Sequence, residues 1–316
     1  MRKLRIILIL CLIALTLPLA WLYAFRGLYG VNVVLRHGGT IWPMVSRDDR
    51  RLTPAVRLAL SGKVAQPGEL TWTLLRPGFE VGELPILAGG TAVDRLLLAR
   101  IDPAGWVFSV HSAPAGDHDI DLWMRDLHAT LVVNGSYFGP RGQPDTPFLS
   151  NGVAMGPNEY KSSHGAFVAT AEGANVVDLK GKDWRQAFEG KTNAMVSYPM
   201  LVDEKGLSRV KPSQWLAGRS FVGQDRLGRI IIGTTVDAFL SLDHFAELLK
   251  SAPLDLSTAL NLDGGPVACQ AIDLNGYRRR TCGPPELQVE GDNVRLLQTL
   301  FAGDITLPIV LAVSPK

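Results

Sequence analysis

Two kinds of apolar pattern divide the chain. The first is continuous: Ile6 to Phe25 is a run of twenty residues without a charge, preceded by Arg2, Lys3 and Arg5. As a helix such a run matches the thickness of a bilayer core, and its basic flank predicts a cytoplasmic N-terminus. A cleavable signal peptide has a shorter apolar stretch, roughly 7–15 residues, closed by a small-x-small site. Here bulky residues occupy that place, and Trp21 and Tyr23 suit the far membrane interface. An uncleaved anchor is therefore favoured, with a cleaved export signal as the alternative. In both cases the remainder of the chain leaves the cytoplasm.

The second pattern is segmented. A Gly-rich, basic stretch from Gly30 to Gly39 leads to a short helical pattern from Thr53-Pro54 through Leu58 and Leu60. From Leu70 the punctuation turns to β, with Thr71 to Leu75, a Pro77-Gly78 turn, and a strand from Phe79. Arg95 to Ile101 and Trp106 to Val110 follow, read as a hairpin across Asp102-Pro103-Ala104-Gly105. Asp117 to Thr130 reads as a helix because Ile120, Trp123, Met124 and Leu127 share one face. A strand from Leu131 to Val133 then delivers Asn134 and Ser136 at its carboxyl end. The second half repeats the scheme: a hairpin from Arg219 to Val236 turning at Asp225 to Gly228, a helix from Ser241 to Lys250, and a strand from Ala259 to Leu262. Hairpins alternating with helices predict an α+β domain of antiparallel or mixed sheet. The expected organisation is a signal or anchor over 1–29, a membrane-proximal preface over 30–69, and one domain over 70–316.

Composition narrows the class. The chain is 47% hydrophobic and 20% charged with a net charge of +2, so nothing favours nucleic acid as a partner. Of three cysteines, Cys11 lies in the apolar segment; Cys269 and Cys282 flank Asn275-Gly276, a strong hairpin turn signal. If those two residues make the turn, Leu274 faces Tyr277 and Cys269 faces Cys282 in a non-hydrogen-bonded pair. Their Cα atoms would then be about 4.5 Å apart, within disulfide range. A cross-strand disulfide is expected; two buried thiols are the alternative.

Standard catalytic motifs are mostly absent: there is no phosphate loop with Lys, no His-Glu-x-x-His, no Cys-x-x-Cys and no Gly-x-Ser-x-Gly. Three polar clusters remain, at Asn134 to Phe138, at Arg219 with Thr234, Thr235 and Asp237, and at Asn261 to Gly265. With a four-residue turn at Asp225 to Gly228, Arg219 would face Thr234. Guanidinium, hydroxyls and the Asp237 carboxylate would then converge at the hairpin's open end, a place to hold a phosphate. A cross-strand salt bridge on a solvated rim is the plainer reading of that hairpin alone.

The order of these clusters resembles the phosphodiester glycosidase family. The matching residues are Asn134-Gly135-Ser136-Tyr137-Phe138, Pro199-Met200-Leu201-Val202, Arg219 to Asp225 with Gly228-Arg229, and Asn261-Leu262-Asp263-Gly264-Gly265, spread over roughly residues 95 to 285. The resemblance implies a hydrolase that releases a sugar from a phosphodiester on its anomeric carbon. Such chemistry builds positive charge on the sugar ring, and the phosphomonoester leaving group departs with little help from an acid. Asp263 is then the carboxylate that activates water or steadies the cation, and Arg219 the phosphate ligand. Asn134 and Asn261 would orient substrate, Gly135, Gly264 and Gly265 would let backbone approach it, and Ser136, Thr235 and Asp237 would complete the pocket, with Asp237 as reserve carboxylate.

Each role has a structural rival: Asn134 as a turn cap, Asp263 as an acceptor of backbone N–H bonds in its Gly-rich loop, Asn261 as packing. Among the histidines only His164 is placed for a site. The Arg278-Arg279-Arg280 run alternates on its hairpin and reads as a solvated edge, with Arg278 opposite Asp273. No cofactor is expected; Asp237 and Asp263 with backbone carbonyls would suit Ca²⁺, but no ligand spacing supports it. The chain departs from the family pattern in carrying Pro266-Val267 where Gly-Ser is usual, and Ser136 for a glycine. The expected substrate is a glycan or glycolipid phosphodiester outside the cytoplasm, with the membrane reached through the N-terminal segment. The alternatives are a non-catalytic glycan-binding or envelope polysaccharide assembly protein of the same fold, and a hydrolase cleaving P–O.

Overall fold

Alternating apolar residues from residue 65 onward build β-structure almost throughout. The structure, a computed structural model, describes residues 5–6, 12–14, 16–17, 40–41, 44–49, 52, 54–160, 164–283, 286–296, 298–299 and 305–316. In chain order the elements that frame the site are α1 (Pro54–Leu60), β1 (Phe79–Ala88), β2 (Thr91–Ile101), β3 (Trp106–Ser112), α2 (Ile120–Asp126) and β4 (Leu131–Asn134). They continue with β5 (Met200–Val202), β6 (Ser220–Asp225), β7 (Ile230–Thr235), α3 (Leu242–Ser251), β8 (Leu256–Asn261), β9 (Cys269–Leu274), β10 (Tyr277–Cys282) and β11 (Ile309–Pro315).

One large sheet runs β5-β8-β6-β7-β2-β1, with Ala65–Pro67 and Thr71–Arg76 both added to β1. A five-stranded sheet runs β10-β9-β4-β11-β3, and a second five-stranded sheet is formed by segments between residues 148 and 197. Every pairing among the described residues is antiparallel, so the mixed alternative is corrected, and the helices are few and short. Met44–Ser46 and Ala65–Pro67, from the stretch read as a preface, pair with Asn293–Arg295 and with β1.

The large sheet is covered on both faces, which explains its nearly unbroken apolar strands. Ile230 and Ile232 join Phe79, Phe108, Phe167 and Leu260 in the core between sheets. Ile231, on the opposite face, packs with Phe221, Phe245 and Leu249 beneath α3. Burying each such side chain stabilises the fold by roughly 1.5–3 kcal/mol. α2 lies on the outer face of the smaller sheet through Ile120 and Trp123. It is shorter than its periodicity suggests: the Asp119 carboxylate accepts the Leu122 N–H at 2.7 Å to start it, and the left-handed His128 (φ 48°) lies just beyond its end.

One expected hairpin does not form. β2 is paired with β1 and β7, whereas β3 pairs with β11 in the smaller sheet. Both edges of β2 are therefore taken, and the Asp102 corner, where Asp102 accepts the Ala104 N–H at 2.9 Å, carries the chain from one sheet to the other. The cysteine hairpin forms in the expected register, Cys269 opposite Cys282 and Leu274 opposite Tyr277, with a disulfide and Cα atoms 3.9 Å apart. Arg278 meets Asp273 at 2.9 Å as expected. Arg279 departs from the solvated reading: its guanidinium reaches inward to Leu98 O at 2.9 Å and Gln270 Oε1 at 2.6 Å, joining the two sheets.

Of the apolar N-terminal run, only residues 6, 12–14 and 16–17 are described, and all are helical. No helix among the described residues is long and apolar enough to cross a membrane. The rest of that segment lies outside the described residues.

Replacing Cys282 by Ser is expected to lower unfolding stability by roughly 2–4 kcal/mol, since the crosslink closes a short loop in the unfolded chain. Urea denaturation checks this, and reductant should reproduce the loss in the unmodified protein while leaving the variant unchanged.

Candidate active site

The site lies where the chain crosses between sheets. β8 belongs to the large sheet and β9 to the smaller one, and residues 262–268 bridge them. The bridge is pinned on both sides: Asp263 N donates to Gly135 O at 3.0 Å, and Gly265 N donates to Gly218 O at 2.8 Å. Asn134, at the end of β4, tightens the crossing further. Its Nδ2 donates to Asp263 O at 2.7 Å and its Oδ1 accepts from Cys269 N at 3.2 Å. Both ends of the buried amide are therefore engaged by backbone groups, and Asn134 ties the end of β4 to Asp263.

The Asp263 carboxylate accepts its own neighbour's N–H, Gly264 N, at 2.8 Å. Although the residue retains some solvent exposure, burial of the carboxyl pushes it up to about 7, helped by Glu286 and opposed by the Gly264 N–H and Arg219. Arg219 is buried and held by backbone carbonyls, Nε to Leu240 O at 3.2 Å and Nη2 to Trp215 O at 2.6 Å. Burial holds its guanidinium below the usual arginine pKa, against the pull of Tyr137, Glu286, Asp243 and Asp263. A rigid guanidinium beside a carboxyl that exchanges its proton near neutrality can bind an oxyanion and transfer a proton in the same place.

An aromatic wall completes the centre. Tyr137 stacks on Tyr198 with ring centroids 4.2 Å apart, and its hydroxyl accepts from Asn261 Nδ2 at 2.7 Å. The same Nδ2 donates to Tyr198 O at 3.1 Å, while the buried Asn261 Oδ1 has no partner among the described residues. Burial raises both tyrosine pKa values, with Asp263 adding to each. The His164 and Tyr198 ring centroids lie 5.4 Å apart, and burial lowers the His164 pKa.

Several expected roles change. The hairpin register is offset by one residue: Ser220 pairs with Thr234, and Arg219 faces Thr235 through Thr235 N to Arg219 O at 2.8 Å. The cause is the turn, in which Asp225 N donates to Arg229 O and Asp225 Oδ1 accepts from Leu227 N and Arg229 N, so Arg229 closes the loop with Asp225. The Thr235 hydroxyl accepts from Arg219 N at 2.8 Å and is fully buried; it positions Arg219. Asp237 is exposed and its N–H is held by Asp94 Oδ1 at 2.9 Å, outside the charges that act on Arg219. Ser136 is buried, with its hydroxyl 3.4 Å from Thr146 Oγ1.

The glycines serve packing between protein segments. A Cβ on Gly135 would lie 2.4 Å from Ile309 Cγ2, and one on Gly264 3.0 Å from Gly218 O. Gly265 has φ +70°, and a Cβ there would strike Glu286 Oε1 at 2.1 Å. Glu286 is the residue that motif reasoning missed. It follows no recognisable pattern, yet it sits against the Gly265 turn and acts on both Asp263 and Arg219. Pro266 and Val267, in the position of the usual Gly-Ser, form a short 3₁₀ turn, with Val267 packed beside the disulfide hairpin. Among the described residues no group of three or more His, Cys, Asp or Glu could hold a metal ion.

The fold and centre define an antiparallel β protein with a buried carboxyl and guanidinium at a sheet crossover. The phosphodiester glycosidase family profile matches residues 128–280, and this stretch is a phosphodiester glycosidase family domain. The catalytic domain of zebrafish N-acetylglucosamine-1-phosphodiester alpha-N-acetylglucosaminidase, solved in a form auto-inhibited by its pro-peptide, is similar in fold. It superimposes with a TM-score of 0.51 at 15% identity, covering 87% of this chain and 88% of that one. A hypothetical protein from Synechocystis gives a TM-score of 0.51 at 14% identity over 79% of this chain and 64% of its own. No curated protein sequence matches significantly.

A folded-state pKa raised from 3.8 to about 7 means that Asp263 favours folding while protonated and loses that contribution as pH rises through about 7. Asp263→Asn should therefore be more stable than the unmodified protein at pH 8, by on the order of 1 kcal/mol after allowing for solvent screening, and should lose this advantage near pH 4. Urea titrations at the two pH values measure the difference.

Proposed function

We propose that the protein is a hydrolase that releases a sugar from a sugar 1-phosphodiester, taken from an exported glycan or glycolipid. The observation that carries this reading is the Asp263 carboxyl, buried and poised near neutrality, beside the backbone-clamped guanidinium of Arg219. The family match over residues 128–280 supports the reaction class. The apolar segment Ile6 to Phe25 supports action outside the cytoplasm, at a membrane surface.

In this mechanism Arg219 holds the phosphate oxygens. Ionised Asp263 accepts a proton from water, whose oxygen bonds to the anomeric carbon as the bond from that carbon to the phosphate oxygen breaks. The electron pair leaves on the phosphate, where Arg219 neutralises it. The products are the free sugar and a phosphomonoester, and Asp263 returns its proton to solvent. Tyr198 and Asn261 border the space for the sugar. Burial, with a further contribution from the Glu286 charge, raises the pKa of Asp263 and keeps the group close to its working range at neutral pH.

Turnover of a sugar 1-phosphodiester in ¹⁸O-water should place label in the sugar. Label in phosphate would mean P–O cleavage, and no turnover would leave a binding protein. Asp263→Asn should lower kcat by roughly 10²–10⁴, the usual contribution of a general base. Arg219→Lys should mainly weaken transition-state binding through loss of the bidentate fork. Glu286→Gln should move the ascending limb of the pH–rate profile to lower pH, because a neighbouring negative charge is removed from Asp263.

A further inference from the structure

A cavity of about 210 Å³ adjoins the centre and is lined in part by Arg47, Lys63, Ser213, Gln214, Ser241 and His244. Its walls include the chain on either side of Trp215 and of Leu240, whose carbonyls hold the Arg219 guanidinium. The cavity opens at the N-terminus of α3, a ten-residue helix capped by Ser241.

Serine at this position normally turns its hydroxyl back to accept an N–H of the first helical turn. Ser241 does not: it makes no side-chain capping bond. The residue is only 1% exposed, and its Oγ is buried with no hydrogen-bond partner among the described residues. A buried hydroxyl left unmatched is unfavourable unless something meets it. The first-turn N–H groups lack a side-chain cap for the same reason, and their dipole favours negative charge.

The side chains around this point carry the complementary charge. Arg47 is held at the rim by the carbonyls of Leu60 and Gly291, the latter at 3.3 Å. Lys63 is exposed and His244 lies in the first turn of the helix. No Asp or Glu lines the cavity among the described residues. Asp243, the acidic residue of the first turn, accepts the Ser213 N–H at 3.2 Å.

We infer that this cavity is a second anion site, separate from the Asp263 and Arg219 centre, that takes a phosphate group against the Ser241 hydroxyl and the first turn of α3. Arg47 and Lys63 supply the balancing charge. The cavity accommodates either free phosphate or the phosphate end of a small ester.

Calorimetric titration of the full chain with inorganic phosphate, and in parallel with a hexose phosphate, tests the site. Lys63→Ala should weaken binding about tenfold and Ser241→Ala severalfold, while Arg219→Lys should leave this binding in place. Lys63 is exposed and the Ser241 hydroxyl makes no bond among the described residues, so both variants should keep their fold and thermal midpoint. Tighter binding of the hexose phosphate would identify an ester as the ligand, and equal binding would identify the free anion. Absence of saturable binding in the millimolar range overturns the inference. So does binding that disappears in Arg219→Lys and is untouched by Lys63→Ala, which would assign the anion to the first centre. Turnover is not the readout, so failure here leaves the hydrolase reading intact.

Discussion

The amide of Asn134 is the tie on which the centre depends. It joins β4 of the smaller sheet to the chain crossing from the large one, through Asp263 O on one side and Cys269 N on the other. Without it the buried Cys269 N–H would lose its partner, at a cost of about 1–3 kcal/mol, and the part-buried Asp263 carbonyl would lose a donor. The same crossing carries the Asp263 carboxyl, so a bond that is structural in kind sets the position of the group assigned to chemistry. Two glycines make the crossing narrow enough: Gly135 admits Ile309, and Gly265 admits Glu286.

Burial then decides electrostatics. Asp263 lies within the influence of a guanidinium, which alone would depress its pKa, yet desolvation and the Glu286 charge win and leave it near 7. Arg219 keeps its place because two of its donors, on Nε and Nη2, are held by the carbonyls of Leu240 and Trp215, with no carboxylate ion pair among the described residues. A direct ion pair would have neutralised both groups. Holding the guanidinium by neutral backbone leaves its charge available to an incoming anion.

The same segments connect the centre to the cavity at α3. Trp215 and Leu240 face Arg219, and their neighbours line the second space. The two centres therefore share walls, the segments around Trp215 and Leu240 facing Arg219 on one side and the cavity on the other. This arrangement arises because the large sheet is covered by α3 on the face away from the inter-sheet core, so the helix N-terminus comes up beside the hairpin that carries Arg219.

Local signals in the sequence determined much of this. Asn275-Gly276 set the hairpin register and hence the Cys269–Cys282 disulfide, because a two-residue turn fixes which residues face each other. The residue pattern also placed Asn134, Arg219, Asn261 and Asp263 at strand ends, where all four come together. What local pattern could not determine was which strands pair and which polar atoms are already spent. The Asp102 corner looks like a hairpin until both edges of β2 are occupied. The Asp225 turn looks four residues long until Arg229 closes it, and that single step exchanges Thr234 for Thr235 opposite Arg219. Asp237 and Glu286 are equally acidic in one dimension. Only the tertiary structure leaves the first in solvent and folds the second against Gly265, because burial and proximity are properties of segments far apart in the chain.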